Sequence, residues 1–121
     1  MNVKNKLGNI SISTESIASI AGYSATNCFG VKGMTIKSVA DGLFHMLKKE
    51  SQSRGVDVIE CEDGGIDIKL HVACQFGVNI HEVCKSIIGE VRYNVEQMTG
   101  IDVNNVDIYV ETIKTEEIGG A

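Results

Sequence analysis

Histidine and cysteine are the side chains here best suited to metal binding or nucleophilic chemistry, and two such pairs are spaced three apart: His71 with Cys74, and His81 with Cys84. A single ion needs donors that converge on it. Residues three apart on a strand point to opposite faces, so His71 and Cys74 cannot share an ion without a bulge. On a helix the same spacing is one face, which leaves His81 and Cys84 geometrically able to form a metal site or a reactive pair. Cys84, however, falls inside an apolar stripe and His81 at its margin, the pattern of a buried thiol beside an exposed imidazole. Cys28 sits near a helix C-terminus, where the dipole disfavours a thiolate, and His45 has no candidate partner. The adjacent acids Glu62 and Asp63 fall at a turn and Glu116 and Glu117 in the tail, solvated positions unsuited to tuned acid–base work. No Walker-type phosphate loop, G-x-S-x-G elbow, H-E-x-x-H or strand-linked G-x-G-x-x-G occurs. The expectation is a chain with no catalytic residue, no metal and no cofactor, and hence no enzyme.

One glycine-rich break offers a different chemistry. Phe29-Gly30-Val31-Lys32-Gly33-Met34-Thr35-Ile36 resembles the G-x-x-G-x-x-I pattern of KH nucleic-acid-binding domains, where a tight loop between two helices approaches the sugar–phosphate backbone. Between residues 30 and 54, Lys32, Lys37, Lys48, Lys49 and Arg54 outnumber Asp41 and Glu50. On this alternative Gly30, Val31, Lys32, Gly33 and Lys37 would contact RNA or single-stranded DNA. The whole chain argues against it: 11 basic against 16 acidic residues give a net charge of −5, opposite in sign to a general nucleic-acid footprint. Two glycines at a helix boundary are also ordinary turn chemistry.

The elements that would position these residues are legible from periodicity. Residues 9–13 alternate as a short strand, and Ser13 or Thr14 caps a helix running to about Asn27, with Glu15 at the positive end of its dipole. Its stripe of Ile17, Ile20, Ala21, Ser24, Ala25 and Cys28 is small enough for close packing. Val39, Leu43, Met46 and Leu47 recur at helical spacing, predicting a second, shorter helix that Gly42 weakens. Two strands, Val56 to Cys61 and Ile66 to Gln75, flank a turn built on Asp63-Gly64. On the second of them Ile66, Ile68, Leu70, Val72 and Cys74 face one way and Asp67, Lys69, His71, Ala73 and Gln75 the other. Asn79 with Glu82 starts a further helix and Gly100 stops it; between them Ile80, Val83, Cys84, Ile87, Ile88, Val91, Val95 and Met98 draw an uninterrupted amphipathic stripe. A last strand alternates Val106, Ile108 and Val110 against Asp107, Tyr109 and Glu111.

These elements predict an α+β fold: one compact domain in β-α-(α)-β-β-α-β order, a small mixed sheet packed against two main helices. Its 121 residues are enough to bury a core unaided, and 43% hydrophobic residues with no proline mark a globular chain. Nothing approaches the length of a membrane span or the apolar centre of a signal peptide, so a cytoplasmic location with four reduced cysteines is expected. The last strand, if at a sheet edge, offers unpaired backbone groups, with Asp107, Tyr109 and Glu111 as the protein interface and Tyr109→Lys expected to weaken self-association.

Several segments together resemble the alkaline shock or general-stress envelope proteins of Gram-positive-type bacteria. They are Gly8-Asn-Ile-Ser-Ile-Ser13, Ile17-Ala-Ser-Ile-Ala-Gly22, Gly30-Val-Lys-Gly-Met34, Gly55-Val-Asp-Val, Ile66-Asp-Ile-Lys-Leu-His-Val72, Phe76-Gly77, Val91-Arg-Tyr-Asn-Val95 and Gly100-Ile-Asp-Val-Asn-Asn-Val-Asp-Ile-Tyr-Val110. The family usually shows an acidic or apolar residue and proline before Gly30; here Cys28-Phe29 stands instead. The resemblance implies an alkaline-shock-type domain over residues 8–113, with an N-terminal extension over 1–7 and a mobile acidic tail over 114–121. It further implies a non-enzymatic, cytoplasmic, homo-oligomeric scaffold or adaptor of envelope stress, held near the membrane by a membrane-anchored protein partner and not inserted itself. It transfers no catalytic residue.

Overall fold

The computed structural model describes residues 1–37, 44–47 and 53–114. Strands β1 (Asn2–Asn5) and β2 (Gly8–Ser11) form a two-stranded antiparallel hairpin, so residues 1–7, set outside the domain by the sequence reading, have structure of their own. Met1 is anchored next to the main body, its nitrogen 3.4 Å from Glu60 Oε1 and donating to the Ile12 carbonyl at 2.8 Å. Helix α1 (Thr14–Thr26) begins where Ser13 accepts a hydrogen bond from the Ser16 N–H at 3.0 Å, satisfying one of the donors a helix start leaves free. Glu15 lies in its first turn, as expected.

Strand β3 (Val31–Lys37) pairs with β4 (Phe44–Met46), where the periodicity predicted a helix. The apolar spacing of Val39, Leu43, Met46 and Leu47 fits a helix in isolation, but a sheet partner overrides local preference. Residues 72–74 of the long strand described next offer the backbone that Val31–Met34 takes. The remaining positions of that predicted helix, 39–43 and 48–50, lie outside the described residues.

Strands β5 (Val56–Glu60) and β6 (Ile66–Gln75) form the expected hairpin, with Gly64 at φ +89° in the turn and the Gly65 N–H donating to Asp63 Oδ1 at 2.9 Å. Helix α2 (Ile80–Thr99) starts on Asn79, which accepts from the Glu82 N–H at 3.1 Å, and stops at left-handed Gly100. It is the crossover that two parallel neighbours require, and strand β7 (Val103–Ile113) returns parallel to β6 along its whole length. β6 is therefore the centre of a mixed five-stranded sheet: β7 takes one side, while β5 and then β3 share the other, with β4 beyond β3. The fold class and both main helices are those expected.

The core lies on one face of this sheet. Ile66, Ile68, Leu70, Val72 and Cys74 are fully buried there against Ile17, Ala21 and Ala25 of α1 and Ile87, Val91 and Val95 of α2. Each large aliphatic side chain so covered contributes about 1.5–3 kcal/mol. The small stripe of α1 lets the two helices touch, and Asn94 Nδ2 donates to Ser24 Oγ across them at 2.9 Å.

Candidate functional site

The other sheet face carries the polar residues of three adjacent strands. From β5 comes Asp57, from β6 come Asp67, Lys69 and His71, and from β7 come Asn105, Asp107, Tyr109 and Glu111. The register sets Tyr109 beside His71, Asp107 beside Lys69 and Asn105 beside Asp67. Asn105 Nδ2 donates to Asp67 Oδ1 at 3.1 Å, which confirms that these side chains share a face. His71 joins the strands: its Nε2 lies 3.5 Å from Asp57 Oδ2 on one flank, and its ring stacks on Tyr109 on the other, centroids 5.0 Å apart and planes within 15°. Sequence reasoning named Asp107, Tyr109 and Glu111 but missed Asp57 and His71 as their supports. The alternation had put His71 on this face, and only the parallel register puts Tyr109 next to it.

Among the described residues β7 is an edge strand, pairing with β6 alone. Its start is closed. The Val103 N–H donates to Glu96 Oε2 at 2.9 Å and the Asn104 carbonyl accepts from Arg92 Nη2 at 3.1 Å, while at the far end the Phe76 N–H donates to the Ile113 carbonyl at 2.8 Å and so extends the ladder with β6. A shift in register at the start of the strand sets Asn104 apart, and its Nδ2 donates to both carboxylate oxygens of Asp63 at 3.1 Å. Asp63 is held below the usual carboxylate range, first by the Gly65 N–H and then by Asn104. Beyond that start, the outward backbone groups of residues 105–112 have no hydrogen-bond partner among the described residues.

Burial disfavours the thiolate form of the cysteines. Burial pushes Cys74 up to about 11, with the Cys84 thiol adding to it, and burial also raises Cys28 and Cys84. His81 is exposed and Cys84 half-buried on α2, and among the described residues no group of three or more His, Cys, Asp or Glu side chains could hold a metal ion. His71 is half-buried and Cys74 fully buried on opposite faces of β6, as the spacing requires.

The KH-like arrangement is not formed. Gly30, at φ +87°, precedes the strand, while Val31, Lys32 and Gly33 lie within β3 and not in a loop between helices. Val31 and Gly33 pair with Cys74 and Ala73, with an irregularity between them at exposed Lys32, so much of the backbone that would meet a phosphate is committed to the sheet. Lys37 ends β3 opposite Phe44. A depression of 580 Å³ between α1 and β5 is lined by Glu15, Arg54, Asp57 and Lys69, two charges of each sign.

Residues 2–115 match the alkaline shock protein 23 family, described as having a cell envelope-related function. The chain belongs to that family. It is 39% identical to YloU of Bacillus subtilis (strain 168) over 113 residues, 93% of each chain. It is 38% identical to Spy1614 of Streptococcus pyogenes serotype M6, again over 93% of each. A solved structure, the MamM CTD, superposes with a TM-score of 0.49 at 12% identity, over 83% of this chain and 95% of that one. No helix among the described residues is long and apolar enough to cross a membrane.

Proposed function

We propose that this protein is a non-enzymatic scaffold or adaptor of the cell-envelope stress response, which self-associates and binds a membrane-anchored protein partner from the cytoplasmic side. The observation that carries the partner-binding part of the reading is the edge of β7: along residues 105–112 its outward-pointing backbone groups have no partner among the described residues, beside the exposed row Asp107, Tyr109 and Glu111. An open edge of this length binds extended chains by strand addition, its backbone supplying affinity and alternate side chains selectivity. Protonated, desolvated thiols and opposed charges in the depression beside β5 favour binding over bond-making. Membership of an envelope-related family supplies the setting.

Affinity capture from detergent-solubilised membranes tests this, with a nuclease-treated arm and a protein-free liposome arm. A membrane protein retained in the detergent arm, insensitive to nuclease, is the expected result. Strong binding of the purified chain to bare liposomes, or retention that nuclease abolishes, overturns it. Sedimentation of the purified chain tests self-association, and a monomer at all concentrations removes that part of the reading.

A further inference from the structure

Asp57, His71 and Tyr109 lie in a line across three neighbouring strands, at contact distance from one to the next. Strands in a sheet are spaced about 4.8 Å apart, so one more strand added to β7 would set a side chain against the ring face of Tyr109 that His71 leaves free. Asp107 and Glu111 flank that position, two residues to either side on the same face. On β5, β6 and β7 this face holds Asp57, Asp67, Asp107 and Glu111 against the ammonium of Lys69.

We infer that the β7 edge receives an extended segment of a different protein, with an arginine of that segment stacked on Tyr109 between Asp107 and Glu111. This rests on the adaptor reading and names the chemistry of its partner. A guanidinium is the group that suits the position: it stacks flat on an aromatic ring and presents several donors to flanking carboxylates, which a compact ammonium does less well. A second copy of this chain fits poorly. An antiparallel pair centred on Tyr109 sets Asp107 opposite Glu111 twice, and like charges directly opposite destabilise a sheet. Shifting that pair by one step still gathers four carboxylates in the strip with no cation among them.

The probe is a short synthetic peptide rich in Thr and Val with one central Arg, compared with otherwise identical peptides carrying Lys, Tyr or Glu, titrated by fluorescence anisotropy against the full chain. The Arg peptide binds most tightly and the Glu peptide most weakly. Tyr109→Ala weakens the Arg peptide about three- to fivefold. Asp107→Asn with Glu111→Gln weakens it about tenfold, and added salt erodes the same increment. Unchanged far-UV circular dichroism and melting temperature establish that each variant is folded, and the double variant keeps the test open if Tyr109→Ala is not. Equal affinity for the Arg and Glu peptides overturns the inference, as does binding indifferent to both variants. So does a shift in the chain's own sedimentation on Tyr109→Lys, which would make a second copy the occupant. A membrane protein captured equally well by wild type and by the Asp107→Asn, Glu111→Gln variant leaves the adaptor reading standing and removes this one. Failure of capture by wild type removes the adaptor reading itself.

Discussion

Replacing Gly55 with alanine destabilises the domain for a reason that is purely spatial. Gly55 lies where β6 changes partners, just before Val56 pairs with Leu70 and beside Met34 paired with Val72. A Cβ built there meets Met34 Cβ at 2.9 Å, the Thr35 carbonyl oxygen at 3.0 Å and the His71 carbonyl oxygen at 3.3 Å. Two of these atoms are backbone and the third is fixed by backbone, so no rotamer change relieves the contact and the strands themselves must move apart. Overpacking of this kind costs about 1–3 kcal/mol. For a chain of this size that lowers the melting temperature by about 4–12 °C. The matched control is Gly89→Ala: Gly89 is exposed within α2 with nothing within 4 Å of its added Cβ. There alanine stabilises by about 1 kcal/mol through helix propensity alone. Urea unfolding followed by circular dichroism reads both, with the midpoint moving in opposite directions and the slope unchanged. A Gly55→Ala protein as stable as wild type, alongside a stabilised Gly89→Ala protein, would refute the packing described at that junction.

Asn79→Ala removes the acceptor for the Glu82 N–H and lowers stability by about 1 kcal/mol, measurable in the same unfolding assay. Gly100→Ala, at φ +74°, costs a similar amount, about 1–2 kcal/mol, because a Cβ is strained in the left-handed region. Native Cys84 and Cys74 react with iodoacetamide at pH 8 more slowly than the same thiols in the unfolded chain; faster labelling of Cys84 would reopen the reactive-pair reading. Asp63 is held below its unfolded value, so its stabilisation is present above about pH 4 and is lost as pH falls through the folded value. Asp63→Asn therefore flattens the fall of melting temperature below pH 4, and an unaltered profile would count against the Gly65 and Asn104 contacts.

What the sequence discloses here is whatever short-range physics decides. The Ser13 and Asn79 caps, the Gly100 stop and the Asp63-Gly64 turn each depend on a few adjacent residues, and each stands in the structure where its chemistry places it. The alternation along residues 66–75 likewise separates a buried from a wet face, except at Ala73, which it assigns to the wet side and which is fully buried. Residues 31–37 and 44–46 depart from the expectation because their state depends on a partner some forty residues away in sequence: strand β3 exists where β6 still has backbone to share. A glycine pair in G-x-x-G spacing has the same local signature whether it opens a loop or enters a strand. The candidate site was half visible for the same reason. Asp107, Tyr109 and Glu111 follow from alternation within one strand, whereas the His71 stack needs the parallel register that α2 imposes from outside.

That register also explains how one edge can be open without inviting self-pairing. Natural sheets blunt exposed edges with charge, irregularity or a covering element, because a long bare edge is a template for aggregation. β7 has all three at its start or along its face. Asn104 interrupts the ladder, and Glu96 and Arg92 from α2 occupy the backbone at 103–104. The open stretch beyond carries Asp107 and Glu111, which set carboxylate against carboxylate when two copies pair about Tyr109, the register that would best use the ring. The same two acids attract a cation presented by a different chain. Protection against its own kind and selection of a basic partner are thus one arrangement of charge, and neutralising Asp107 and Glu111 should weaken the second while relaxing the first.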